Sequence, residues 1–138
     1  MEKAVVNCAG CLIYRKNDKI NQYEILLCRP WRFETFGCPK GRAEEGETSR
    51  ETAKREVFEE TSYEVSPLQK IGSCVEETDD GEIKNVDIYL ARMDDLSPPT
   101  ETDGENAEVR WFQINNLPKL YEPQKNVILK GILYLLKK

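Results

Sequence analysis

Glu56, Glu59 and Glu60 lie in the run Arg55-Glu56-Val57-Phe58-Glu59-Glu60-Thr61, and no lysine or arginine stands three or four positions from Glu56 or Glu60. On a helix those spacings make neighbours, and each like-charged pair costs a few tenths of a kcal/mol, about what an ion pair contributes. The acids also fall toward the negative, C-terminal end of the helix they would occupy. A cation held among them would offset both effects. Hard divalent ions such as Mg²⁺ take oxygen ligands and tolerate water in the remaining positions, so carboxylates without histidine or cysteine are an appropriate set. The chain has no histidine. Any proton released near neutral pH must therefore pass to a carboxylate close to metal.

The element that must position these acids is a helix. Thr48-Ser49-Arg50-Glu51 fits a capping box, which predicts a helix from near Thr48 to about Thr61. At about 100° per residue, Glu59, Glu56 and Glu60 fall within an arc of about 100°, beside Ala53 and Val57 on the core side. Glu51, Arg55 and Glu59, spaced i, i+4 and i+8, could form a solvent-exposed ion-pair ladder. Glu56 and Glu60 do not fit that pattern. Ahead of the helix, Gly41-Arg42-Ala43-Glu44-Glu45-Gly46-Glu47-Thr48 approaches the phosphate-binding pattern Gly-x-x-x-x-Gly-Lys-Ser/Thr. Glu47 replaces its lysine and reverses the charge, which excludes a kinase or ATPase built on that loop.

Around this centre the pattern is that of one compact domain spanning residues 1–138. Ala4 to Tyr14 and Tyr23 to Cys28 read as strands flanking a polar turn, with Pro30 ending the second. Ile71 to Glu77 and Ile83 to Arg92 form a second predicted hairpin about Asp79-Asp80-Gly81. Asp94 to Glu108 is expected to be an exposed acidic loop. Val109 to Ile114 is a further strand, and Gln124 to Leu136 an amphipathic helix. Strands before and after the central helix predict a mixed sheet covered by helices.

The composition is 39% hydrophobic and 33% charged, with no apolar run long enough to cross a bilayer and no signal-peptide pattern at the N-terminus. Five cysteines, at 8, 11, 28, 38 and 74, are expected to be buried, reduced thiols in a cytoplasmic protein. Cys8 and Cys11 point to opposite faces of their strand and do not make a metal pair. A net charge of −5 argues against an extended nucleic-acid footprint. Trp31 and Phe33 are equally core residues and platforms for a stacked base.

Gly41, five residues, Glu47, seven residues and then Arg55 to Thr61 resemble the signature box of the Nudix hydrolases in every fixed place but the last two. There the family expects glycine and an aliphatic residue, and this chain has Ser62 and Tyr63. A serine ending the helix in the left-handed conformation costs roughly 1 kcal/mol relative to glycine. The box covers about a sixth of the chain, and its combined spacing is far more specific than a lone glycine motif.

The resemblance implies an α/β/α sandwich around a mixed β-sheet. It further implies hydrolysis of a nucleoside diphosphate linked to another group, by water that Mg²⁺ or Mn²⁺ activates. Glu56, Glu59 and Glu60 would be metal ligands, with the Gly41 carbonyl a further one, while Glu47 and Arg55 brace the loop against the helix. Cys38-Pro39-Lys40-Gly41 is similar to the Pro-Lys-Gly version found in diadenosine tetraphosphate hydrolases, RNA 5′-end pyrophosphohydrolases and diphosphoinositol phosphohydrolases. Lys40 is thereby expected to contact a phosphate. Glu105 stands where dinucleoside hydrolases carry an acid over the site, so Glu60 or Glu105 is expected to take the proton. Trp31, Phe33 and Tyr89 are candidates to stack on adenine. The expected substrate is diadenosine tetraphosphate or a close relative, a small-molecule nucleotide; RNA 5′ ends and other pyrophosphates are alternatives. A nucleotide-sensing module that does not cleave is the alternative of another class.

Overall fold

Apolar alternation and polar turns resolve into strands and helices at nearly the predicted places. The computed structural model describes residues 4–94, 97–100 and 104–137. In chain order they form β1 (Val5–Asn17), β2 (Gln22–Pro30), β3 (Lys40–Arg42), α1 (Ser49–Thr61), β4 (Lys70–Glu77), β5 (Ile83–Arg92), β6 (Asn106–Gln113) and α2 (Glu122–Leu136). The sheet runs β4-β5-β1-β2-β6, with β3 paired to β1. β1 and β5 are parallel and the other pairs antiparallel, so the sheet is mixed.

Side chains alternate between the two faces of a strand, and both faces here are buried. Leu12, Ile25, Leu27, Ile88 and Leu90 pack with Ile128, Ile132 and Leu135 of α2. Cys11, Ile13, Leu26 and Ala91 pack with Ala53 and Val57 of α1 on the other face. The result is the expected α/β/α sandwich. Cys8 and Cys11 fall in opposite cores, and all five cysteines are free thiols. Among the described residues no helix is long and apolar enough to cross a membrane.

The central strand forks. On one edge β1 pairs with β5 from Val5 to Tyr14; on the other, Cys8 to Gly10 pair with β3 and Ile13 to Asn17 with β2. The chain from Gly37 to Lys40 spans the fork: Gly37 bridges to Cys28 of β2, and the Cys11 amide donates to the Pro39 carbonyl at 3.2 Å.

β6 begins at Asn106 rather than Val109, because Pro30 and Arg29 of β2 pair with Asn106 and Glu108. The predicted acidic loop is shortened accordingly, and its residues 95–96 and 101–103 lie outside the described residues.

α1 carries both halves of its capping box: Thr48 Oγ1 accepts from the Glu51 amide at 3.2 Å, and Glu51 Oε1 accepts from the Thr48 amide at 2.9 Å. Glu51 thus turns back to the cap, and the predicted ion-pair ladder keeps only its Arg55–Glu59 half. At the other end Ser62 takes the left-handed conformation at φ 65° and ψ 8°. Its hydroxyl donates to the Thr100 carbonyl at 2.7 Å, and the Thr100 amide donates to Thr61 at 2.9 Å. Tyr63 is buried; its hydroxyl donates to the Ser97 carbonyl and accepts from Trp111 Nε1 at 3.3 Å. The unusual box ending is therefore tied to segment 97–100 and to β6.

Gly10 lets β3 approach β1, since a Cβ there would lie 2.1 Å from the Pro39 oxygen and 2.6 Å from Lys40 Cβ. Gly10→Ala must push the Pro39-Lys40 backbone outward. Overpacking of this kind costs about 1–3 kcal/mol. Urea unfolding is expected to show a lowered midpoint at unchanged slope, and an unshifted midpoint would contradict the close approach.

Candidate functional site

Arg55 organises the acidic box. Its Nε and Nη2 donate to the two oxygens of Glu47 at 2.7 and 3.0 Å, a charge-assisted fork, and Nη2 also donates to the Arg42 carbonyl at 2.8 Å. Glu47 accepts further bonds from the Glu44 amide and Thr52 Oγ1, each at 2.8 Å. These contacts brace the loop to α1.

Arg55 Nη1 meanwhile reaches Glu56 at 2.9 Å and Glu59 at 3.2 Å. The absence of a cation three or four positions from Glu56 thus misled: successive helical residues do not face each other, but a long guanidinium stem swings across to its neighbour.

Glu56 and Glu60 lie on the buried edge of α1. The Glu56 carboxylate packs against the Gly41 backbone so closely that a Cβ on Gly41 would sit 2.1 Å from its Cδ. Burial raises the Glu56 pKa; Arg55 works against that, while the charges of Glu59 and Glu105 add to it. Glu60, 4% exposed, accepts from Asn106 Nδ2 at 2.9 Å.

The donor set around Gly41, Glu56 and Glu60 is all oxygen, anionic and partly desolvated, which suits a hard divalent ion. Glu59 is turned to Arg55. Among the described residues no three acidic, histidine or cysteine side chains stand together as a ready metal cage. Glu56 and Glu59 share Arg55 Nη1.

A cavity of about 510 Å³ opens beside the end of α1, lined by Glu60, Glu105, Asn106, Lys40, Phe33 and Tyr121 among others. Four sequence candidates, Glu60, Glu105, Lys40 and Phe33, are brought together here. Lys40 Nζ lies 3.2 Å from Glu76. Burial works to lower the Lys40 pKa, but the charge and hydrogen bond of Glu76 outweigh it and the pKa is raised. Phe33 meets Tyr121 edge to face at 5.7 Å.

Trp31 and Tyr89 lie outside that lining. Trp31 is 62% exposed and outside the cavity lining, with its Nε1 donating to the Gly104 carbonyl at 3.1 Å and its amide to Glu105 at 3.5 Å. It ties down the segment that carries Glu105. Tyr89 is buried in the core on the α1 side, with Arg50 5.0 Å over its ring, because β5 alternation turns it away from Ile88 and Leu90.

Sequence reasoning missed Asn106, Glu76, Tyr121 and Gln124. Only Gln124 left a signal: it is a polar residue at an apolar position of the α2 repeat, four and eight places before Ile128 and Ile132.

The brace gives the fold an acid-sensitive point. Hydrogen bonds from Arg55 and then the Glu44 amide hold the Glu47 carboxyl down at about 2, against an ordinary 4.5. A carboxylate depressed on folding contributes stability above its unfolded pKa and loses it as pH falls toward the folded value. The window is therefore pH 4.5 down to about 2. Thermal melts across it are expected to fall less steeply for Glu47→Gln than for the wild type. Parallel curves would contradict the brace.

The family model described as NUDIX domain matches residues 6–131. The oxidized purine nucleoside triphosphate hydrolase of Mus musculus is 35% identical over 88 residues, covering 63% of this chain and 53% of that protein. The NAD-capped RNA hydrolase NudC of Pseudomonas putida is 32% identical over 99 residues, covering 70% of this chain and 34% of that protein. The chain thus spans about half, or less, of the length of these curated relatives. Among solved structures, a C. elegans Ap4A hydrolase in a binary complex superimposes with a TM-score of 0.78 at 21% identity, covering 96% of this chain and 99% of that one. The match from residue 6 to residue 131 takes in the whole acidic box and most of the sandwich, and the chain belongs to the NUDIX family.

Proposed function

We propose that the chain is a Nudix pyrophosphohydrolase, cleaving a phosphoanhydride bond in a nucleoside diphosphate-linked compound. The observation that carries this reading is the pair of buried carboxylates, Glu56 against the Gly41 backbone and Glu60 at the cavity that Lys40 also lines. Family members generally use divalent metal ions, and Gly41, Glu56 and Glu60 would hold Mg²⁺ or Mn²⁺, joined by Glu59. When bound, such an ion lowers the pKa of water and offsets charge on phosphate oxygens.

The side chains divide the remaining work. Lys40 presents its ammonium to a phosphate oxygen. Glu60, steadied by Asn106, or Glu105 on the segment over the same cavity, takes the proton released at phosphorus. Phe33 with Tyr121 offers an aromatic wall to a base.

Diadenosine tetraphosphate or a close relative is the favoured substrate, supported by Pro39-Lys40-Gly41 and by Glu105 at the cavity. The second reading is a modified purine nucleoside triphosphate, favoured by the likeness to the mouse hydrolase of such compounds. The net charge of −5 weighs against a long RNA footprint. Free, largely buried thiols suit a reducing compartment such as the cytoplasm.

A panel with Mg²⁺ or Mn²⁺ should contain diadenosine tetraphosphate, an oxidised purine nucleoside triphosphate and 5′-triphosphorylated RNA. Fastest turnover is expected on diadenosine tetraphosphate, with Glu60→Gln lowering kcat by about 100-fold or more. Turnover fastest on another member refutes the substrate choice alone. Binding without cleavage of any member makes the chain a sensing module instead.

A further inference from the structure

A hydrogen-bonded chain outside the acidic box converges on Lys40. Gln124, at the start of α2, is 2% exposed. Its Oε1 accepts from the Cys38 amide at 2.7 Å, and its Nε2 donates to Glu76 Oε2 at 3.1 Å. Glu76, buried near the end of β4, turns its other oxygen to Lys40 Nζ at 3.2 Å. All four residues line the one cavity.

We propose that Gln124 and Glu76 are positioning residues that preset the Lys40 ammonium for a phosphate group of the substrate. This rests on the reading of Lys40 as a phosphate contact.

The chemistry of each link is specific. Gln124 must accept from Cys38 and donate to Glu76, which a side-chain amide does and neither a carboxylate nor an ammonium can do. Gly37 makes room for it, because a Cβ there would lie 2.7 Å from Gln124 Oε1. Cys38 and Lys40 flank Pro39, so one amide fixes both the backbone leading into β3 and the counter-ion of the lysine. A lysine stem is flexible, and freezing it on binding weakens affinity. Held by Glu76, Lys40 has little freedom left to lose, and an ammonium with three donors can engage Glu76 and a phosphate oxygen together. α2, on the opposite face of the sheet from the acidic helix, thereby sets a phosphate contact of the site.

The test compares wild type, Gln124→Met, Lys40→Met and the double variant. Calorimetry with Mg²⁺ and methylene bisphosphonate, whose bridge cannot be hydrolysed, gives Kd; the best substrate of the panel gives KM and kcat. Coupled neighbours depart from additivity. On that basis Lys40→Met should weaken bisphosphonate binding about tenfold, and Gln124→Met about fivefold, with KM raised in parallel and kcat within about threefold. In the Lys40→Met background the Gln124→Met effect should shrink below about twofold. An equal effect in both backgrounds, or none in the wild type, overturns the positioning role while leaving Lys40 as a phosphate contact. No loss in Lys40→Met alone refutes that contact and the proposal with it. Should Gln124→Met fail to fold, Glu76→Gln, which keeps an acceptor for Lys40 but removes its counter-charge, carries the same comparison.

Discussion

A single guanidinium holds the acidic box together. Arg55 contacts Glu47, Glu56, Glu59 and the Arg42 carbonyl at once, all within 3.2 Å. Arginine remains protonated at any working pH and its planar fork matches carboxylate geometry, so it gathers acids that would otherwise repel one another. Its contacts divide by consequence. Those to Glu47 and Arg42 fix the loop that carries Gly41. Those to Glu56 and Glu59 neutralise carboxylates that a divalent ion would also attract, so a metal would compete with Arg55 for both. Glu60 is steadied by Asn106.

The fork in β1 gives that box something to act on. Because β3 pairs with only Cys8 to Gly10 before β2 takes over the same edge at Ile13, Lys40 and Gly41 are presented at the join. α1 reaches the cavity from one face of the sheet with Glu60, and α2 from the other with Gln124. The close approaches at Gly10, Gly37 and Gly41 all lie on this seam. Small residues there let backbone, carboxylate and amide come nearer than any side chain would allow.

Much of this was legible in the sequence. The capping box fixed the start of α1 through two local hydrogen bonds that depend on spacing alone. Two-residue alternation placed the strands, and the left-handed turn at Ser62 followed from helix termination. What spacing could not convey was partnership across the fold. Helical-neighbour counting overlooked Arg55 beside Glu56, since a long side chain is not bound by Cβ geometry. Aromatic type alone could not tell that Trp31 would bond the Gly104 carbonyl or that the alternation of β5 would turn Tyr89 into the core. Glu76 and Gln124 meet across 48 positions, and only the packed sandwich brings them together.

On the proposed reading, Glu56 and Glu60 would hold a divalent ion even though Arg55 also bonds Glu56 and Glu59. Titration of the protein with Mn²⁺, followed by electron paramagnetic resonance, reads that directly and needs no substrate. Wild type should bind the ion, with Glu56→Gln and Glu60→Gln each weakening it by about tenfold or more, the loss of one charged ligand from a small oxygen set. Equal Mn²⁺ affinity in wild type and both variants would contradict the site.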